Sequence, residues 1–540
     1  MIKLRLAPAL VLASVAVGLT ISVAQEPAAT PASRLITIGK TTTHIEGPLD
    51  EAGYVDYLAA LNKMYSKGVT PKNNAAVPIF QAFGRSELSP EIMDEFFERL
   101  GMSVPPKEGT YYISLEDFAI EEQAVLAADQ PDNAEQKTRQ AATKEYDLGL
   151  AGSWTRKQHP QLARWVERNE MTFQKAHEAS RCSRFYMPYL VDDGQEGPSL
   201  IAVLLPGAVH TRTLARLLAI RAHMFLGDGK SQQARDEFLA IHRLARLSSQ
   251  GATVIEGLIG IAMDGIATAG VGTVIEHGQL TDEELLDFQQ QLAKLPRTAS
   301  IIDKIGTVER LVFLSTVQSI SRNGMQTFQQ LNESKMPVPE VLFGEGVLRT
   351  MVDWDVVMKI ANEWYDKFGE VGKLEDLDKR QQGIATVEKE LAELLQQTVS
   401  AGSLAREVLL SGKSIQQITS ERMAGILISM MVPGVSKAVE TENKSVMLSE
   451  MGQVAIAIAR FERTNGHYPD RLAELKPQFV TRIPMDIYSG EPICYLRRDD
   501  GYFVYSVGRD RKDNKGDSFD TKPVADDVVI RVTPEDSGRE

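Results

Sequence analysis

The side chains best suited to chemistry crowd near the carboxyl end. Asp510, Asp513, Asn514, Asp517 and Asp520 fall within eleven residues, and Asp526 and Asp527 come shortly after. Oxygen donors packed this closely repel one another. A Ca2+ ion relieves that repulsion and orders the backbone, because calcium takes many oxygen ligands in flexible geometry. Asp510, Asp513, Asp517, Asp526 and Asp527 are therefore candidate ligands, and calcium the candidate cofactor. The spacing is not that of an EF-hand, since Gly516 and the closing Glu are misplaced. The plainer alternative is a solvated acidic turn whose charge Arg509, Arg511, Lys512 and Lys515 offset.

Glu256 and Asp264 form a second candidate pair. They are eight apart and share one helix face. Two half-buried carboxylates can do acid–base work. The structural alternative is capping, or pairing with arginines such as Arg243 or Arg246. There are eight histidines, and none forms His-Glu-x-x-His or a close Cys/His set, so zinc chemistry has no support. His223 and His242 lie on the two helices of one expected hairpin, where they could meet; chance proximity on a polar face is the plainer reading. No Gly-x-Ser-x-Gly elbow occurs. Gly229-Lys230-Ser231 and Gly412-Lys413-Ser414 lack the upstream glycine of a phosphate loop, with Met224 and Glu407 in its place.

At 540 residues the chain is too long for one ordinary core. Its 43% hydrophobic and 24% charged content is that of a folded soluble protein. A net charge of -14 argues against a nucleic-acid partner, because such affinity comes from Lys and Arg neutralising phosphates. The same charge disfavours attraction to anionic lipid. Lys3 and Arg5 precede an apolar run, Leu6 to Val23, which ends in the small residues of Ser22-Val23-Ala24. This layout predicts a signal peptide over residues 1–24 and an exported protein, in the periplasm or at the cell surface. An uncleaved anchor is the alternative, and the only expected membrane contact. Export permits a bridge between Cys182 and Cys494, but they fall in different expected domains, and two separate thiols are the expectation.

The elements follow from periodicity. Residues 25–45 read as a leader, with a strand within Leu35–His44 from its Ile and Thr content. Residues 46–145 read as mixed and mostly helical, with Ser89 and Pro90 opening one helix and a short strand at Tyr111–Ser114. Residues 146–440 read as a helical domain. Within it, Leu214, Leu217, Leu218, Ala222 and Phe225 recur at helical spacing, Gly227-Asp228-Gly229 ends that helix, and Ser231 caps a second. Ala252–Ile275 is an apolar helix broken by Gly257, Gly260, Gly265 and Gly270, which mark close backbone approach. Glu256 and Asp264 inside it argue for a buried helix over a membrane span. Pro337–Gly346 reads as a loop, and Lys373–Thr398 as a long helix with an exposed face.

Residues 441–535 read as a small α+β domain with a 536–540 tail. A helix, Ser445–Thr464, carries Met447, Met451, Val454, Ile458 and Phe461 on one face and ends at Asn465-Gly466. Alternating residues from Ile493, a turn at Asp500-Gly501, and Val528–Val532 predict an antiparallel sheet. The pieces Asn465-Gly466-His467-Tyr468-Pro469, Pro484-Met485-Asp486, Gly501-Tyr502, Ser506-Val507-Gly508-Arg509-Asp510 and Asp526-Asp527-Val528 resemble the globular head of the type II secretion major pseudopilins. The resemblance covers under a fifth of the chain. It implies a calcium loop carried by Asp510, Asp513, Asp526 and Asp527. Ile487 stands where that family has proline, and no prepilin cleavage site is present, so assembly into a pseudopilus is not expected. The rest, including Gly47-Pro48-Leu49-Asp50-Glu51 and Gly68-Val69-Thr70-Pro71, is similar to uncharacterised secreted bacterial proteins, which implies architecture and no activity.

The expected fold is mainly α: an irregular helical domain followed by a small α+β pseudopilin-like domain. The expected function is a non-enzymatic cell-envelope protein that acts through contacts with other envelope proteins. The alternative is a secreted hydrolase using carboxylates of the helical domain.

Overall fold

The computed structural model describes residues 35–85, 88–126, 134–191, 200, 203, 205–324, 350–374, 376–399, 411–431, 434–498, 501–518 and 525–533. The expected signal peptide, the first part of the leader, the Pro337–Gly346 loop, Asp500, Asp520 and the tail lie outside these residues. The chain is mainly helical, with one small antiparallel sheet.

Seven helices open the described chain: α1 (Tyr57–Tyr65), α2 (Ala76–Phe83), α3 (Pro90–Leu100), α4 (Leu115–Leu126), α5 (Ala134–Ala151), α6 (Pro160–Arg168) and α7 (Glu170–Ser180). The central layer is α8 (Pro206–Gly227), α9 (Ser231–Ser248), α10 (Val254–His277) and α11 (Asp282–Ala293). A short α12 (Ile301–Lys304) runs through a π turn, Ile305–Glu309, into α13 (Arg310–Asn323). Then come α14 (Trp354–Gly372), α15 (Leu377–Val399), α16 (Ile415–Met431) and α17 (Val435–Asn465). Strands β1 (Cys494–Arg497), β2 (Tyr502–Ser506) and β3 (Val528–Val532) close the described chain.

Two expected strands do not form among the described residues. Residues 35–45 turn back on themselves, because the Thr42 and Thr43 hydroxyls bond to nearby carbonyls of Thr37, Gly39 and Ile45. Short polar side chains of this kind compete with a ladder for backbone groups. Tyr111–Ser114 is irregular and belongs to no sheet. Ser89 sits before α3 with Pro90 behind it, yet its hydroxyl makes no cap bond. Ser231 is the first residue of α9 and not its cap; its hydroxyl accepts the Gln279 N–H at 2.8 Å and ties the start of α9 to the end of α10.

Helix α10 is the hub. It packs against α8, α9, α17 and β3. By length and composition it could cross a membrane, but it is largely interior to this fold. Its glycines explain the close packing. A Cβ on Gly260 would lie 2.6 Å from the Ala245 carbonyl oxygen of α9, and one on Gly270 would lie 2.2 Å from the Phe238 ring. Gly265 differs, since a Cβ there meets no described atom within 4 Å. Gly260→Ala is therefore expected to force α9 and α10 apart at a cost of about 1–3 kcal/mol. Gly265→Ala is expected to stabilise by up to about 1 kcal/mol, the helix-propensity difference. Urea unfolding of the two variants checks the opposite signs.

The carboxy-terminal sheet runs β1-β2-β3, antiparallel throughout, with Leu496 opposite Phe503 and Val504 opposite Ile530. It lies on α17 and encloses its own apolar core of Met447, Met451, Val454, Ile458, Tyr502 and Val504. Tyr502 donates its hydroxyl to the Ala455 carbonyl at 2.9 Å. Gly466, at φ 77°, ends α17 as expected. The helix itself starts at Val435 and passes unbroken through the boundary expected between residues 440 and 441. Side chains also tie the head to the body. Gln289 of α11 donates to the Gln453 and Phe479 carbonyls, Arg460 pairs with Asp282 at 2.8 Å, and Glu276 of α10 accepts the Thr533 N–H at 2.8 Å.

Candidate functional site

The acidic loop leaves β2 and returns to β3, so the sheet fixes both of its ends. Its carboxylates mainly receive backbone N–H groups. Asp526 Oδ2 accepts from Asp510 N at 3.0 Å, and Asp510 Oδ1 accepts from Lys512 N at 2.8 Å. Asp513 Oδ1 accepts from Lys515 N at 2.8 Å and from the Tyr505 hydroxyl at 3.0 Å. Buried Asp527 accepts from Gly516 N at 2.8 Å and from Asn514 N at 3.5 Å, and burial raises its carboxyl above its ordinary value. Asp517 is exposed. The structure thus joins Asp510 to Asp526, and sets Asp513 and Asp527 on the 514–516 turn. Among the described residues, no three His, Cys, Asp or Glu side chains form a metal cluster.

Asp526 Oδ1 is buried without a partner, and carboxylate oxygens that accept an N–H keep a second lone pair for a cation. Of the expected ligands the described geometry joins only Asp510 to Asp526, fewer than calcium takes; an ion held there would supply charge neutralisation and loop order. Asp486, which the sequence alone gives no separate role, lies 1% exposed. Its carboxylate accepts from Tyr488 N, the Ser506 hydroxyl and Val507 N at 2.8–2.9 Å, which anchors the end of β2. The signal for it is a lone Asp close behind a proline in an otherwise apolar stretch.

A second polar centre lies in the helical body. Asp264 of α10 sits between two side chains of α9. Its Oδ1 accepts from His242 Nδ1 at 2.6 Å and from the Arg246 guanidinium. Pairing with Arg246 is the structural alternative to acid–base work for this carboxylate. His242 does not meet His223, which turns away and bonds the Gly149 carbonyl at 3.0 Å. Burial lowers His242 well below its ordinary value and pulls Arg246 down to about 10. At neutral pH the imidazole is uncharged and the guanidinium charged. Arg246 and Asp264 form one wall of a cavity of about 310 Å3, with Arg297 and Thr298 beside them and Ser445, Ser449 and Glu450 of α17 opposite.

An aspartate that orients an imidazole is half of a hydrolytic triad. Here the other half is missing from the described geometry, because His242 Nε2 is buried without a partner and His242 lies outside the cavity wall. Glu256 is engaged elsewhere. It closes a capping box with Thr253 and accepts from the Tyr189 hydroxyl at 3.1 Å. Burial raises its carboxyl, and Lys304 lies close enough to oppose that shift. Cys182 and Cys494 are separate, half-buried thiols, both shifted upward by burial. In comparisons with family models, with curated proteins and with solved structures, nothing matches this chain.

Proposed function

We propose that this chain is an exported protein of the cell envelope that works by binding other proteins and carries no reaction of its own. The observation that supports this reading best is the state of the interior carboxylates. Asp264 is held by His242 and Arg246, Glu256 by Thr253 and Tyr189, and Glu237 by Arg221 at 2.8 Å. The hydrolase alternative needs Glu256 or Asp264 free to move a proton. The apolar run at residues 6–23 supports export, and the motifs shared with the pseudopilin head suggest an envelope setting.

The test is fractionation of cells making a carboxy-terminally tagged chain, with mass spectrometry of its amino terminus and photo-crosslinkers on the exposed face of the head. The reading expects a product beginning near Gln25 outside the cytoplasm, with discrete crosslinked bands. A full-length product confined to the cytoplasm sinks it.

Calcium at the head belongs to the same proposal. Calorimetry of the full chain is expected to show a higher melting temperature with Ca2+ than with chelator, by the ordinary linkage of ligand to native state. Equal melting in both conditions removes the ion from the reading.

A further inference from the structure

A cavity of about 490 Å3 opens between the 40–44 turn, α13 and α14, far in sequence from the acidic loop. It is lined by Lys40, Thr41, His44, Arg310, Lys359, Asn362, Glu363 and Asp366. Its size is that of a small-ligand site. Three permanent cations face two carboxylates, so the pocket carries a net positive charge on a chain of net charge -14.

Several unusual features converge here. The π turn Ile305–Glu309 immediately precedes Arg310. One added residue rotates the next stretch of helix by about 100°, and such bulges recur at functional sites. His44 adopts φ 63°, the left-handed region that few non-glycine residues occupy. The turn bearing it is clamped: Asn362 Nδ2 donates to the Thr41 and Thr42 carbonyls, and the Tyr57 hydroxyl to the Thr43 carbonyl. Arg310 is only 5% exposed. Its guanidinium donates to His44 Nδ1 at 3.1 Å and to Asp366 at 2.7 Å, while its Nε has no partner. Asn362 Oδ1 is likewise buried and unpartnered.

The hydrogen bond fixes the imidazole. A guanidinium has no acceptor, so His44 Nδ1 must accept and the ring proton sits on Nε2. His44 therefore adds a neutral donor to the cationic ones of Lys40, Lys359 and Arg310. Burial and the neighbouring Arg310 both lower its pKa, which keeps it neutral at pH 7.

We infer that this pocket binds a small oxyanion, with Arg310 buried at its base and His44, Lys40 and Lys359 exposed around it. Carboxylates and phosphates share the chemistry it needs, since both accept several N–H donors at once.

Isothermal titration of the full chain at low ionic strength, with inorganic phosphate in one arm and succinate in the other, tests this. Saturable one-to-one binding in either arm is expected, and the stronger arm names the ligand class. Lys40 and Lys359 are exposed, so Lys40→Ala with Lys359→Ala keeps the fold. The pair is expected to weaken binding by about tenfold or more, while Lys63→Ala, outside the pocket lining, leaves it unchanged. Arg310→Lys should weaken it further, because an ammonium lacks the rigid planar fork that spans His44 and Asp366. No saturable binding in either arm overturns the inference. So does equal affinity in the double lysine variant, or equal loss in Lys63→Ala.

Discussion

Asp264→Ala is expected to destabilise the chain by about 3–5 kcal/mol, the cost of removing one partner from a buried charge pair. The variant strands two groups at once. Arg246 is left as a nearly buried guanidinium beside a cavity, and His242 loses the acceptor for its Nδ1–H. Asp264→Leu combined with Arg246→Met is expected to recover much of the loss, since an apolar pair of similar volume carries no desolvation penalty. Urea unfolding with an unchanged slope measures both variants. A loss below about 1 kcal/mol in the single variant would mean that water enters the cavity and solvates Arg246.

Acid should expose the second large effect, at His210. Its ring stacks on Phe83 at 4.2 Å and meets Phe80 edge-on, and burial pulls its pKa down to about 4. Above the unfolded value of 6.5 the ring is neutral in both states, and its full contribution is present. Below that, the unfolded chain takes a proton that the folded chain refuses. Stability is then lost as pH falls from 6.5 towards 4, by roughly 3 kcal/mol in all. Glu256, Glu309 and Glu442, whose carboxyls burial raises, act in the opposite sense over part of this range. The informative quantity is therefore the difference between His210→Phe and the parent. It should move in favour of the variant as pH drops from neutral to about 5, read by urea midpoints. A constant difference would place the His210 ring in contact with water.

Legibility in the sequence depends on whether a contact is local. The apolar face of α17 repeats every three to four residues, so spacing alone assigns Met447, Met451, Val454, Ile458 and Phe461 to one core, and all five are buried. The strand Val528–Val532 is legible from its run of β-branched residues, though which of them face the core shows only in the structure. Composition misleads at Leu35–His44, where Thr and Ile favour a strand but the Thr hydroxyls close a turn. Periodicity places the start of α17 too late, since residues 435–444 are largely polar and pack on the body instead of the sheet. The acidic loop is visible as a run of charge. What its carboxylates do is not, because an N–H bonded to Asp510 or Asp527 leaves no trace in spacing. The His242–Asp264 contact depends on how α9 crosses α10, a property that neither helix carries alone.

The unbroken α17 has a mechanical consequence. Thirty-one residues make a rod of about 46 Å, with the sheet at one end and α12 and α15 near the other. No hinge separates the sheet from the body along this helix. Because β3 also packs directly on α10, the sheet and the helical body are tied by two helices at once.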